Sequence, residues 1–165
     1  KGDSLVNVLV LGPPRRGLVD YAVSFSVMIG ILALLNLVLW IVFKHDIFGD
    51  LRLFGSMVRN DLWWLALIVV GVGAPLSEEL LFRGFLQSSL TRSSLGFGWA
   101  SLVTTLVWTA LHAGYSVIGL IEVLLIGGVF IWMLRRTGSL RVPLICHAVY
   151  NTALGLFLAF GPQSL

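Results

Sequence analysis

Charged residues are scarce in this sequence, and their scarcity excludes the commonest class of protein. Only 12% of the 165 residues are Asp, Glu, Lys or Arg, whereas 58% are hydrophobic. The mean hydropathy is +0.96. Soluble globular domains have about 25% charged residues, so this composition lies far outside their range. It predicts a multi-pass membrane protein.

Cysteine is almost absent as well, and the single residue, Cys146, excludes an intrachain disulfide. A nucleophile or metal ligand beside His147 is one interpretation of it, but a small apolar residue in a packed helix is favoured. No basic patch interleaved with aromatic residues is found, so the net charge of +3 does not indicate a nucleic-acid partner. The sequence also lacks an internal repeat and a His-Glu-x-x-His motif.

Long apolar stretches predict an all-α polytopic bundle of about five transmembrane helices. A helix needs about 20 residues to cross the hydrocarbon core, and 22 consecutive residues, 22–43, carry no charge. Residues 44–61 are rich in charge and read as a loop or interfacial helix. We therefore divide the chain into an N-terminal segment, 1–61, and a membrane domain, 62–161. The predicted spans are residues 22–43, 62–91, 98–113, 117–134 and 143–160.

Basic residues are distributed unequally between the two sides that these spans define. Seven lie on the side of the amino terminus and three on the other side. The excess predicts a cytoplasmic amino terminus, and an odd number of spans then places the carboxyl terminus outside. We expect the inner membrane of a bacterial cell as the location. The seven are Lys1, Arg15, Arg16, Arg92, Arg135, Arg136 and Arg141, and the three are Lys44, Arg52 and Arg59.

Two adjacent carboxylates and an arginine, Glu78, Glu79 and Arg83, interrupt the second span just after Pro75, a predicted kink. One charge in a lipid-embedded helix costs at least about 2.5–3.5 kcal/mol, so three need a functional explanation. Residues four apart share a helix face, so Glu79 is predicted to pair with Arg83, while Glu78 points elsewhere and stays unpaired. A buried ion-pair cluster that only holds helices together explains the pair, but not Glu78.

Polar residues also interrupt the last three spans. His147 and Asn151 are four residues apart, so both project from one face of the fifth span. Trp108 and His112 have the same spacing in the third span, and Glu122 lies in the fourth. Two histidines on separate spans, together with an unpaired glutamate and an asparagine, favour a reactive site over isolated structural groups.

These residues resemble the motifs of the CAAX-prenyl-protease and bacteriocin-processing (CPBP) intramembrane proteases. The family pattern is Glu-Glu-x-x-x-Arg, then an aromatic residue followed four positions later by His, then His-x-x-x-Asn. The aromatic position is commonly phenylalanine, so the tryptophan here is a mild departure. Within residues 62–158 the three motifs are Glu78-Glu79-Leu80-Leu81-Phe82-Arg83, Trp108-Thr109-Ala110-Leu111-His112 and His147-Ala148-Val149-Tyr150-Asn151.

The resemblance implies an intramembrane endopeptidase whose catalytic domain occupies residues 62–161. Peptide hydrolysis needs a base for water, a proton carrier for the leaving amine and donors for the tetrahedral oxyanion. Each of these tasks has a candidate in the motifs. We expect Glu78 to be the base, His112 to hold the same water, His147 and Asn151 to bind the oxyanion, and Glu79 with Arg83 to orient the base.

Two alternatives remain at this point. A zinc site would use His112, His147 and one glutamate as ligands, with the other glutamate activating water. We expect no cofactor, because two acids and two histidines also suffice for a metal-free glutamic mechanism. The other alternative is a non-catalytic immunity or scaffold protein, which has no use for an unpaired acid. The expected partners are membrane lipid and a peptide or protein substrate: a prenylated C-terminal tail, a pheromone or bacteriocin leader, or a C-terminal sorting signal.

If the helices are straight, the two histidines of the predicted active site lie at different depths in the membrane. His112 lies 14 residues after the start of the third span, whereas His147 lies six residues after Arg141. At 1.5 Å per residue the difference in depth is about 12 Å. Tilted helices, a late helix start or a dipping loop are needed to bring the two histidines together. We expect the resulting cavity to open toward the cytoplasmic side, where the basic loops lie.

Overall fold

The computed structural model describes residues 9–44, 46 and 48–161, and this part of the chain is all-α, as predicted. Besides a single 3₁₀ turn at Gly49–Leu51, these residues form six helices and no β-strand. The helices, numbered in chain order, are α1 (Leu18–Phe43), α2 (Arg52–Val58), α3 (Trp63–Thr91), α4 (Gly96–Ala110), α5 (Val117–Thr137) and α6 (Arg141–Phe160).

Four of these helices, α1, α3, α5 and α6, are long and apolar enough to cross a membrane. The remaining predicted span, residues 98–113, corresponds to α4, which has 15 residues and is therefore about 22 Å long. That is shorter than the ~30 Å hydrocarbon core. The helix ends early because the chain turns after Ala110, where Tyr115 N–H donates to His112 O at 2.9 Å. The side chain of Ser116 then caps the start of α5.

Helix α3 is irregular on both sides of the charged turn. Residues 67–73 and 79–86 form wide π-helical turns, which flank a regular α-helical turn at Ala74–Glu78. Pro75 is the second residue of that regular turn, so the predicted kink takes the form of a change in helical winding. Such wide turns change which backbone groups are paired, and they occur frequently at functional sites.

The first wide turn frees a carbonyl of α3 for a contact with α6. Ala74 N–H bonds the carbonyl five residues back instead of that of Val70, which is four back. Asn151 Nδ2 donates to this Val70 oxygen at 3.2 Å. The carbonyl of Gly71 lacks its usual donor as well, because the residue four positions later, Pro75, has no N–H. It accepts a hydrogen bond from the Thr152 hydroxyl at 3.3 Å. The irregularity of α3 thus fixes the position of Asn151.

The two ends of the bundle differ in charge. At one end, Arg15 N–H donates to Thr137 O at 3.3 Å, so the segment before α1 contacts the turn between α5 and α6. We call this the basic end. At the other end, Asp50 accepts from the N–H and the hydroxyl of Ser116 at 2.8 and 2.7 Å. Helix α5 joins the ends, and its 21 residues place them about 30 Å apart.

Candidate active site

A cavity of about 210 Å³ lies between the helices and brings together residues that are far apart in sequence. Four of the six predicted site residues line it, namely Glu78, His112, His147 and Asn151. The other two, Glu79 and Arg83, lie behind its wall and are completely buried. Further polar and aromatic side chains complete the lining. They include Asn36, Asp50, Trp108, Tyr115, Glu122 and Tyr150.

Glu79 and Arg83 form the ion pair that their spacing predicted. Arg83 Nη1 donates to Glu79 Oε1 at 3.2 Å, and both side chains are fully buried. The same carboxylate oxygen lies 3.1 Å from His147 Nδ1. Since a carboxylate can only accept, Nδ1 carries the hydrogen in this contact. Glu79 therefore links α3 to α6 and holds the imidazole of His147.

Glu78 lies on the cavity wall and, within the described residues, forms no ion pair. It nevertheless has a partner that the spacing did not predict, because Trp108 Nε1 donates to its Oε2 at 2.7 Å. Glu78 is thus unpaired in charge but not isolated. Buried indole N–H groups usually find an acceptor. Applied to a tryptophan well inside a predicted span, that rule indicates an acceptor for the indole N–H but does not identify it as Glu78.

Trp108 contacts several site residues, although its sequence motif alone did not predict a role for it. It is only 3% exposed, and the guanidinium carbon of Arg83 lies 4.2 Å from the centroid of its ring. Cation–π attraction of this kind partly offsets the burial of the arginine. Gly127 of α5 packs against the ring: a Cβ added there would lie 3.1 Å from two ring carbons. The glycine therefore allows α5 to approach the indole closely.

His112 lies in the turn after α4, and its Nδ1 is 3.0 Å from the carbonyl oxygen of Trp108. A carbonyl only accepts, so Nδ1 donates in this contact. In the neutral imidazole, Nε2 then has a lone pair. Because His112 lines the cavity, Nε2 is the ring nitrogen left to accept a hydrogen from water there.

His147 and Asn151 both line the cavity, as predicted for residues on one helix face. His147 stacks on Phe130 with ring centroids 4.7 Å apart, which restrains one face of its ring. Asn151 uses one amide hydrogen to hold Val70 O. Its second amide hydrogen is the one left for a ligand.

Trp108 also accounts for the conflict in depth between the two histidines. Its ring centroid lies 5.0 Å from that of His112 and 6.1 Å from that of His147, with angles of 67° and 88° between the ring planes. His112 follows the end of α4 and His147 lies in the second turn of α6, so the two remain at different levels. The indole contacts both rings, and one cavity includes both histidines.

The cavity extends toward the end of the bundle opposite the basic loops. Asp50 and Tyr115 line it, and Asp50 bonds the exposed residue Ser116 at that end. The expectation that the cavity opens on the side of the basic loops is therefore wrong. The reason is that α4 starts at the basic end, so His112, at its far terminus, reaches the other end. Burial first, and then the carboxylates of Asp50 and Glu78, raise the pKa of Tyr115, so its hydroxyl remains protonated.

The zinc alternative requires at least three donors around one point. Across residues 9–44, 46 and 48–161, no three His, Cys, Asp or Glu side chains converge in this way. The Trp108 ring contacts both histidines, and Glu79 is bound to Arg83 and His147. The arrangement does not fit the proposed ligand set, and the absence of a cofactor stays a prediction.

The structure defines a class of protein: a polytopic helical membrane bundle with a polar intramembrane site. Two adjacent glutamates, two histidines and an asparagine form this site at one internal cavity. The family within this class is shown by a family model described as "Type II CAAX prenyl endopeptidase Rce1-like", which matches residues 60–153. The chain belongs to this Rce1-like family, as the motifs indicated. The matched range contains all six predicted site residues.

Two curated bacterial proteins are similar to part of the chain. An uncharacterized 24.3 kDa protein of Escherichia coli is 33% identical over 94 residues, which are 56% of this chain and 43% of that protein. The UPF0177 protein YxdF of Lactococcus lactis subsp. lactis (strain IL1403) is 28% identical over 83 residues, 50% of this chain and 44% of its own length. The chain therefore spans less than half the length of these relatives. No solved structure matches.

Proposed function

We propose that this chain is an intramembrane endopeptidase that hydrolyses a peptide bond with water activated by Glu78. The observation that carries the proposal is the contrast between adjacent glutamates. Glu78 lines the cavity that His112 also lines, whereas Glu79 is completely buried against Arg83. General-base catalysis needs a positioned carboxylate that water can reach, and a carboxylate on a cavity wall meets this need. A purely structural ion-pair cluster gives no reason for Glu78 to line a cavity.

In the proposed reaction, Glu78 takes one proton from water. His112 Nε2 accepts a hydrogen bond from the hydrogen that remains on the water oxygen. The oxygen attacks the carbonyl carbon, and the π electrons move to the carbonyl oxygen. The second amide hydrogen of Asn151, and Nε2–H of His147 in its imidazolium form, would donate to this oxyanion. Glu78 then returns the proton to the amide nitrogen as the C–N bond breaks. The products are a carboxylic acid and an amine.

We propose a peptide segment close to the membrane surface as the substrate, entering at the end where Asp50 lies. The family description supports this class, since it names a CAAX prenyl endopeptidase. A C-terminal tail is therefore the first substrate to test. A leader peptide and a sorting signal follow.

The function is tested with the full chain, purified in detergent and incubated with these peptides in H₂¹⁸O. Hydrolysis places one ¹⁸O in each new carboxyl terminus, which mass spectrometry detects. We expect cleavage at defined bonds, undiminished by strong chelators, and no stoichiometric zinc in the protein. Zinc that is lost together with activity in His147→Ala would contradict the metal-free mechanism. A folded protein that cleaves none of the tail, leader or sorting-signal peptides would favour the scaffold alternative.

We further propose that the amino terminus faces the cytoplasm of a bacterial cell, because seven of the ten loop arginines and lysines lie on its side. Ser93 and Ser56 form a matched pair for a test, since both are exposed and both hydroxyls bond the carbonyl three residues back. The native Cys146 is buried and should not interfere. An impermeant maleimide should label Ser56→Cys in intact cells, and Ser93→Cys only after permeabilisation. The reverse pattern would overturn the orientation.

A further inference from the structure

One residue contacts both groups that would hold the attacking water. The indole N–H of Trp108 donates to Glu78 Oε2 at 2.7 Å, and the Trp108 carbonyl oxygen lies 3.0 Å from His112 Nδ1. We propose that Trp108 is a positioning residue, which selects the oxygen of Glu78 that receives the water proton and fixes the imidazole beside it. This inference rests on the proposed function and adds a residue to its site.

The bond to Glu78 has two consequences for a base. It engages Oε2, so Oε1 is the oxygen with both lone pairs open to water. It also holds the carboxylate in one orientation, because the indole that donates is itself packed in place. Loss of the donor should therefore free the carboxylate to rotate away from the water.

The bond to His112 comes from the backbone of the same residue. It requires hydrogen on Nδ1 and so directs Nε2, with its lone pair, toward water. Side chain and backbone of Trp108 thus set the positions of base and imidazole relative to each other. The indole itself is held by Arg83 at 4.2 Å on its face and by the close approach of Gly127.

The indole N–H, rather than the aromatic ring, is what this role requires. A phenylalanine could still cover Arg83 and pack against Gly127, but it has no hydrogen to donate to Glu78. Catalysis and substrate binding should therefore respond differently to its loss, since a carboxylate that rotates freely lowers kcat and leaves KM largely unchanged.

Trp108→Phe is the test variant, and Trp99→Phe on the same helix is its control, because Trp99 is 63% exposed. We expect kcat to fall about 10–100-fold in Trp108→Phe, with KM and the melting temperature in detergent little changed. This corresponds to the roughly 10–100-fold change in an equilibrium that a hydrogen bond to a charged group makes. Trp99→Phe should keep the wild-type kcat and KM.

If Trp108→Phe does not fold, benzothienylalanine at position 108 replaces the N–H by sulfur while keeping the size of the ring, and the same fall in kcat is expected. A folded variant of either kind with the wild-type kcat would overturn the role of Trp108 and leave the proposed function intact. Absence of cleavage by the folded wild-type protein would instead contradict the proposed function itself.

Discussion

Glu78→Gln is expected to lower the rate of peptide cleavage by about 10²–10⁴-fold, the range lost with a positioned acid–base group. Glutamine has the size of glutamate, and its carbonyl oxygen can still accept the indole hydrogen of Trp108. It cannot remove a proton from water. The melting temperature in detergent should change little, since Glu78 forms no ion pair in the described part of the chain.

The structure offers a matched control for this prediction in Glu122. Its side chain lines the same cavity from α5, and the proposed mechanism does not use it. Glu122→Gln removes one negative charge from the wall, just as Glu78→Gln does. A loss of activity that depends only on cavity charge should appear equally in both variants. Cleavage rates that fall to the same extent would therefore contradict a specific role for Glu78 as base.

The local features of the site were predictable from sequence because they depend on helical periodicity. Glu79 and Arg83 are four residues apart, and they pair even though the backbone around them is wider than an α-helix. The same rule correctly placed His147 and Asn151 on one wall. Such predictions need only one helix and its period.

Features that depend on packing between helices were not predictable in this way. The contact from Trp108 to Glu78 joins residues 30 positions apart and exists only because α4 packs beside α3. The bond from Asn151 to Val70 depends on a wide turn in α3, and Pro75 predicts a kink there but not which carbonyl it frees. The side on which the cavity opens depends on where α4 ends. The helix ends at Ala110, but the apolar pattern of the sequence continues past that residue and gives no sign of the end.

Glu79→Gln is expected to destabilise the protein rather than to remove a reacting group. Glu79 Oε1 bonds both Arg83 Nη1 and His147 Nδ1, and the side chains of Glu79 and Arg83 are fully buried. Breaking a buried pair by removing one charge typically costs about 3–5 kcal/mol, because the other charge stays buried without compensation. We expect a marked fall in melting temperature or in yield, with loss of activity following from it.

A double variant separates loss of charge from loss of shape. Arg83→Met keeps a long unbranched side chain under the indole of Trp108 and removes the cation that Glu79→Gln leaves unpaired. Replacement of both members of a buried pair is often far less costly than removal of one. The double variant should therefore recover much of the melting temperature that Glu79→Gln loses. If Glu79→Gln is instead stable and inactive while Glu78→Gln unfolds, the roles of the two glutamates are reversed, since the buried carboxylate would then be the one that chemistry requires.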